Sequence, residues 1–213
     1  MKIVLTILML FFTTGCTTYS AQADMAGVTI QPMTMMVAKP LPQTLYIVMD
    51  PSKVADDIAI TKSPMTLTHF RGFLGDGLKK SLAPYFQNVE IVAPGFTAPK
   101  EAHVIADVKL DGVEARQFNA GQMIYTTLLM QWNFAIRPNQ ETDYLFSYSG
   151  IGNSDTTYTN LTEGVQQMLK SSMAGLLQGW TEKNAYQTLK EYYDKDAAPA
   201  EMPDSNEPAS TDL

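Results

Sequence analysis

The stretch Ile124-Tyr125-Thr126-Thr127-Leu128-Leu129-Met130-Gln131-Trp132-Asn133-Phe134-Ala135-Ile136 decides the fold. Its even positions from Ile124 to Ile136 are apolar, apart from Thr126. Successive side chains of a strand point to opposite faces, so this period of two predicts a long strand with one face in a core. Upstream, Val104, Ala106, Val108 and Leu110 alternate with Ile105, Asp107, Lys109 and Asp111. The phase then slips, because Val113 and Ala115 are the small apolar residues against Glu114 and Arg116. One residue of slip at Asp111-Gly112 predicts a β-bulge. Downstream, Arg137-Pro138-Asn139-Gln140 turns the chain, and Tyr144, Phe146 and Tyr148 alternate with Leu145, Ser147 and Ser149. With Asn119-Ala120-Gly121 as the other turn, three strands form an antiparallel meander.

Working outward, Leu45 to Met49 is a short apolar run stopped by Asp50-Pro51-Ser52, a strand and its turn. Ser63-Pro64 reads as the N-cap and first position of a helix. Leu67, Phe70, Leu74, Leu78 and Leu82 then follow at steps of three and four, on one helical stripe, and Pro84 ends it. Val89 to Val92 is another short strand, closed by Pro94-Gly95. Asn160 is placed to cap a long amphipathic helix carrying Leu161, Val165, Met168, Leu169, Ser172, Leu176 and Trp180, and Tyr186, Leu189 and Tyr193 continue it after Asn184. The order β-α-β-β-β-β-α predicts an α+β domain over residues 44–196. It is a mainly antiparallel sheet with two helices packed on one face.

Composition excludes several functions. The chain has 213 residues, a net charge of −7 and a hydrophobic fraction of 45%, which fits one globular domain rather than wholesale disorder. The acidic balance argues against nucleic acid, whose phosphates need clustered Lys and Arg. A single cysteine excludes an intrachain disulfide framework and a zinc site built on several thiolates. No metal or other cofactor is expected.

The N-terminus is a separate object. Lys2 precedes Ile3 to Phe12, a run apolar except for Thr6. It is too short for the ~20 residues that cross a bilayer as a helix, and it fits the h-region of a signal peptide. Thr13-Thr14-Gly15-Cys16 follows, with polar Thr17, Thr18 and Ser20 beyond. A small residue directly before a cysteine at this place resembles the bacterial lipoprotein signal. The resemblance implies that residues 1–15 are removed and that Cys16 carries the acyl groups. Thr13 departs from the Leu usual in that pattern. Thr17 after the cysteine implies sorting to the outer membrane. Ala21-Gln22-Ala23 leaves open an ordinary signal-peptidase site, with Cys16 then lost.

Residues 16–43, with Pro32, Pro40, Pro42 and no periodic pattern, read as a tether. Met25, Met33, Met35 and Met36 within it are soft donors suited to Cu(I), or an adaptable apolar segment that packs on the domain or a partner; the second is favoured because no His lies nearby. Residues 197–213 hold four acids and no base, the composition of a disordered acidic tail.

Element order, size and anchor together resemble small envelope lipoproteins: the YajG-type lipoproteins, the lipopolysaccharide-assembly family and the auxiliary lipoproteins of envelope ABC transporters. The resemblance covers most of the mature chain and rests on pattern. It implies a non-catalytic, lipid-anchored outer-membrane lipoprotein facing the periplasm, an accessory or assembly factor of an envelope complex. Its partners would be the membrane and an envelope protein or a second copy. A periplasmic lipid- or glycan-binding module is the alternative. Catalytic signals are absent from the pattern. Gly72, Gly75 and Gly77 lie inside a helical stripe, with Leu78 where a phosphate loop needs Lys. His69 and His103 lack any hydrolase motif, and Asp56-Asp57 reads as a solvated pair. With helices on one sheet face, the other would present Ile105, Tyr125, Leu129 and Leu145 as a docking face for a protein.

Overall fold

The computed structural model describes residues 20–31, 39–99, 103–120, 123–138, 141–156 and 160–196. Cys16, the h-region, Met33, Met35, Met36 and the acidic tail lie outside these residues. The chain is α+β, with two sheets and three helices among the described residues. Strands β1 (Ala21–Asp24), β3 (Ile58–Ala59) and β4 (Met65–Thr68) form a small sheet in the order β1-β4-β3. Strands β2 (Leu41–Val48), β5 (Phe86–Val92), β6 (Val104–Ala120), β7 (Met123–Pro138) and β8 (Phe146–Thr156) form the main sheet in the order β5-β2-β6-β7-β8. The helices are α1 (Phe70–Leu82), α2 (Leu161–Glu182) and α3 (Ala185–Asp196).

The meander is present as β6, β7 and β8, with long antiparallel ladders. The β6 register shifts between Leu110 and Gly112, so Asp111 is the extra residue of the expected bulge. The sheet as a whole is mixed. Strand β2 pairs in parallel with both β5 and β6, over shorter ladders. The physical reason is the crossover: α1 carries the chain from β2 to β5, and a strand entered after a crossover helix lies parallel to the one left before it.

Leu128, Met130, Trp132, Phe134 and Ile136 of β7 are all buried, as the alternation requires. They face α2, whose buried stripe holds Val165, Leu169 and Leu176, while α1 packs beside it over β5 with Phe70, Leu74 and Leu78 buried. Gly77 lets the two helices close up, because a Cβ there would stand 3.0 Å from Leu169 Cδ2 and 3.1 Å from Ile30 Cδ1. Asn184, with φ 48°, separates α2 from α3, so the continuation after Asn184 is a distinct helix. Asn160 makes no side-chain capping bond at the start of α2.

Three expectations are corrected. Ser63-Pro64 does not start a helix. Met65–Thr68 is strand, and α1 begins at Phe70 after His69, whose φ is 56°. The spacing of Leu67 from Phe70 fits a helical stripe, yet Leu67 is buried as a strand residue because β4 pairs with β1. The tether over residues 16–43 is shorter than expected. Ala23, Met25 and Ile30 are at most 3% exposed within the core, Gln166 donates to the Thr29 carbonyl (3.1 Å), and β2 opens at Leu41. The third meander strand begins at Phe146 and runs to Thr156, leaving Tyr144 exposed before it.

One ion pair joins the two chain segments that meet at the start of α1. His69 Nδ1 lies 2.7 Å from Asp24 Oδ1 at the end of β1. The hydrogen bond to Asp24 raises the His69 pKa above 6.5. The Ala26 amide, then His69, lowers that of Asp24. The imidazolium contact is therefore complete below pH 6.5 and lost as pH rises through the higher folded value. Loss on the acid side follows only when Asp24 itself protonates, below its ordinary 3.8. A proton NMR titration is expected to place the His69 midpoint above 6.5 and to return it toward that value in Asp24→Asn. An unchanged midpoint in the variant would show that the pair is not formed.

Candidate functional site

Both α1 and α2 cover one face of the main sheet, so the surface left for recognition is the opposite face. Its middle is a hydrogen-bonded polar array. Arg137 Nε reaches Asp107 Oδ2 (3.2 Å), Asn133 donates to Asp111 (2.5 Å), Ser149 donates to Asn133, and Lys109 pairs with Asp111 (2.8 Å). Beside the bulge a cleft of about 160 Å³ opens, lined by Thr61, Asp111, Glu114, Arg116, Leu129 and Gln131 among others.

The cleft exists because the loop before β4 docks on β6. Thr61 donates its amide to the Val113 carbonyl (2.9 Å) and accepts from the Ala115 amide (3.0 Å). This takes over the edge of β6 where β2 has ended. Lys62, with φ 65°, turns its ammonium onto Glu114 (3.1 Å), and Arg116 reaches the same carboxylate (2.6 Å). Arg116 and Lys62 together hold the Glu114 carboxyl below the usual carboxylate range. All three side chains reach solvent, so the trio shapes the rim more than it stabilises the fold.

The four residues expected on the docking face separate into two groups. Ile105 is 6% exposed and does not present itself to solvent. Its register neighbours are Tyr46 and Arg137, and Tyr46 packs against Phe96 (ring centroids 4.6 Å) of the connection that follows β5. Alternation assigns a residue to a face but does not show that a connecting loop crosses that face. Leu145 is half-buried and packs against the core, with its amide bonded to the Ile136 carbonyl (2.8 Å). Tyr125 is half-buried at the other end of β7, and Leu129 is half-buried near its middle. Residues 129 and 137 are separated by about 27 Å along a strand. Two exposed side chains that the sequence reading passed over lie on this face: Ile151 near mid-strand, opposite Gln131, and Phe118 at the far end, stacked on Tyr125 at 5.4 Å and 13°. Phe118 was legible as an aromatic in the polar phase of β6, whereas Ile151 falls beyond the strand end that the sequence suggested.

Neither histidine is set up for nucleophilic chemistry. Among the described residues, the only hydrogen-bond partner of the His69 ring is Asp24. His103 is 9% exposed beside Tyr46, and neither ring nitrogen has a polar partner among the described residues. Gly72, Gly75 and Gly77 lie within α1, where no strand-to-helix phosphate loop exists. Trp180 and Tyr193 are core residues rather than an exposed sugar platform. No three His, Cys, Asp or Glu side chains among the described residues come together to hold a metal ion. No helix among them is long and apolar enough to cross a membrane.

No protein-family model and no curated protein matches the chain. Solved structures do. A Xanthomonas campestris protein of the DUF330 family superposes with a TM-score of 0.50 at 13% identity, covering 83% of this chain and 98% of that one. The two share a fold. A homologue of the neuraminyllactose-binding hemagglutinin from Helicobacter pylori gives a TM-score of 0.45 at 11% identity, over 78% of this chain and 100% of that one. A minor lipoprotein from Acinetobacter baumannii gives 0.34 at 11% identity, over 71% and 94%. At these identities the likeness concerns fold alone.

Proposed function

We propose that the protein is a non-catalytic, lipid-anchored envelope lipoprotein that serves as an accessory or assembly factor of an envelope complex. In this reading Cys16 carries the anchor and the domain faces the periplasm from the outer membrane. The observation that carries it is Gly15-Cys16 directly after the apolar run Ile3 to Phe12. Two or more acyl chains hold a protein to a bilayer far better than one. Support for a binding rather than catalytic role comes from the site. The two histidines lack a nucleophile partner, and the uncovered sheet face offers Leu129 and exposed Ile151 beside a cleft. The lipid- or glycan-binding alternative is disfavoured. Trp132, Trp180, Phe70 and Phe134 fill the space between helices and sheet, and the outer cleft is smaller than the roughly 300–1,000 Å³ of small-molecule sites.

Radiolabelled palmitate is expected to enter the wild type and not Cys16→Ser, and the variant is expected to leave the membrane fraction. Equal labelling of the variant would refute the anchor. Photo-crosslinkers at Leu129 and Ile151 in the same cells are expected to capture one envelope protein or a second copy. Recovery of monomer alone would refute the docking face.

A further inference from the structure

We infer that the distal end of the β6–β7 hairpin, with its stacked Phe118 and Tyr125, is a membrane-contact site that rests in the phospholipid interface beside the anchor. This rests on the reading of Cys16 as acylated. The first part of the argument is chain length. Strand β1 starts at Ala21, so only Thr17 to Ser20 separate it from Cys16. That connection spans at most about 18 Å when fully extended. The folded domain therefore sits on the bilayer rather than standing off from it.

The second part is direction. Thr61 bridges Glu114 in parallel, so the chain leaving β3 runs with β6 toward the hairpin tip. Strand β4 is antiparallel to β3 and therefore runs back from the tip, and β1 is parallel to β4. The starting end of β1, at Ala21, is thus its end nearer the tip. Phe118 stands four residues beyond Glu114, about 13 Å along a strand, which matches the reach of the connection.

The third part is chemistry. Phe118 is 50% exposed, and its ring stacks on Tyr125. Tyr125 has the apolar body and polar tip that favour the headgroup level of a bilayer, and Phe118 adds an exposed apolar ring beside it. The charges nearby are mixed. Lys62 and Arg116 share Glu114, and Asp155 accepts from Thr127 (2.7 Å). The contact is therefore aromatic rather than ionic, and it needs no anionic lipid.

The test uses the full lipoprotein in vesicles of phosphatidylethanolamine with phosphatidylcholine, which carry no net charge. Acylation consumes the single native thiol, so a cysteine introduced by Phe118→Cys takes an environment-sensitive dye alone. Tyr125→Cys is the second variant. Thr142→Cys, exposed in the connection between β7 and β8 at the opposite end of the sheet, is the control. Dyes at 118 and 125 are expected to shift to the blue and to lose emission to nitroxide-bearing lipids, with the dye at 142 unchanged. Water-like emission at 118 and 125 in protein whose intact mass shows the acyl groups would overturn the membrane contact and leave the anchor standing. A shift that appears only on adding periplasmic protein would overturn it in favour of a protein partner. An intact mass without acyl groups would remove both readings.

Discussion

Gly152→Ala is expected to destabilise the domain by about 3 kcal/mol or more, the upper end of the cost of forcing volume into a packed interior. A Cβ at Gly152 would stand 1.8 Å from Ser172 Oγ and 2.5 Å from the backbone oxygen of Met168. The hydroxyl can rotate away. The carbonyl cannot, because it belongs to the backbone of α2, which is packed along β8 through this region. Ser154 confirms how close the two backbones run, since its buried hydroxyl donates to the Gly164 carbonyl (2.6 Å). Urea unfolding measures the effect, and two-state behaviour at this size converts it to a Tm loss of about 6–12 °C. Ser172→Ala provides the internal control. The Ser172 hydroxyl is buried without a partner among the described residues, so its removal alone is expected to be close to neutral. Gly152→Ala in that background is expected to remain strongly destabilising, because Met168 is untouched. A double variant as stable as wild type would show that the hydroxyl, not the helix backbone, sets the limit.

Trp180→Ala is expected to cost about 3–5 kcal/mol, the range for deleting a buried large aromatic. The indole is 1% exposed near the C-terminal end of α2. It meets Phe146 of β8 at 5.1 Å, Tyr85 at 5.2 Å and Phe86 of β5 at 6.0 Å between ring centroids. Those contacts draw together both edge strands of the main sheet and the turn after α1, so the loss is not confined to one element. Its indole N–H has no partner among the described residues, so Trp180→Phe removes an unpaired donor along with volume. That milder variant is expected to cost about half as much or less. Equal losses in the two variants would mean that the N–H does bond in solution.

What the sequence made legible follows from what each pattern encodes. The β7 alternation, the Asp111 bulge and the stripe of α2 were readable because one uncovered face or one buried stripe leaves a periodic record. The small sheet was not readable. Its strands are two to four residues long, too short to show a period, and β1 and β4 are brought together from 44 positions apart, as in the contact of Thr68 with Asp24. The same gap explains the misplaced helix start, since Leu67 satisfies a strand and a helical stripe equally. At the candidate site, Tyr125 and Leu129 lie on the face where alternation put them. Ile105 does too, but its burial depends on Phe96 and Tyr46, a contact that no local pattern contains. Thr61 beside Glu114 is likewise a long-range juxtaposition, so the cleft had no sequence signature.

The small sheet also sets an order of events. Strand β1 comes first in the described chain, yet its pairing partner β4 follows some forty residues later and its helical cover, α2, lies well over a hundred residues on. Contacts of such separation carry a loop-closure cost before they return any stability. Until those elements have formed, the N-terminal strand therefore remains an unsatisfied edge. The domain closes on it only when the last helices have arrived.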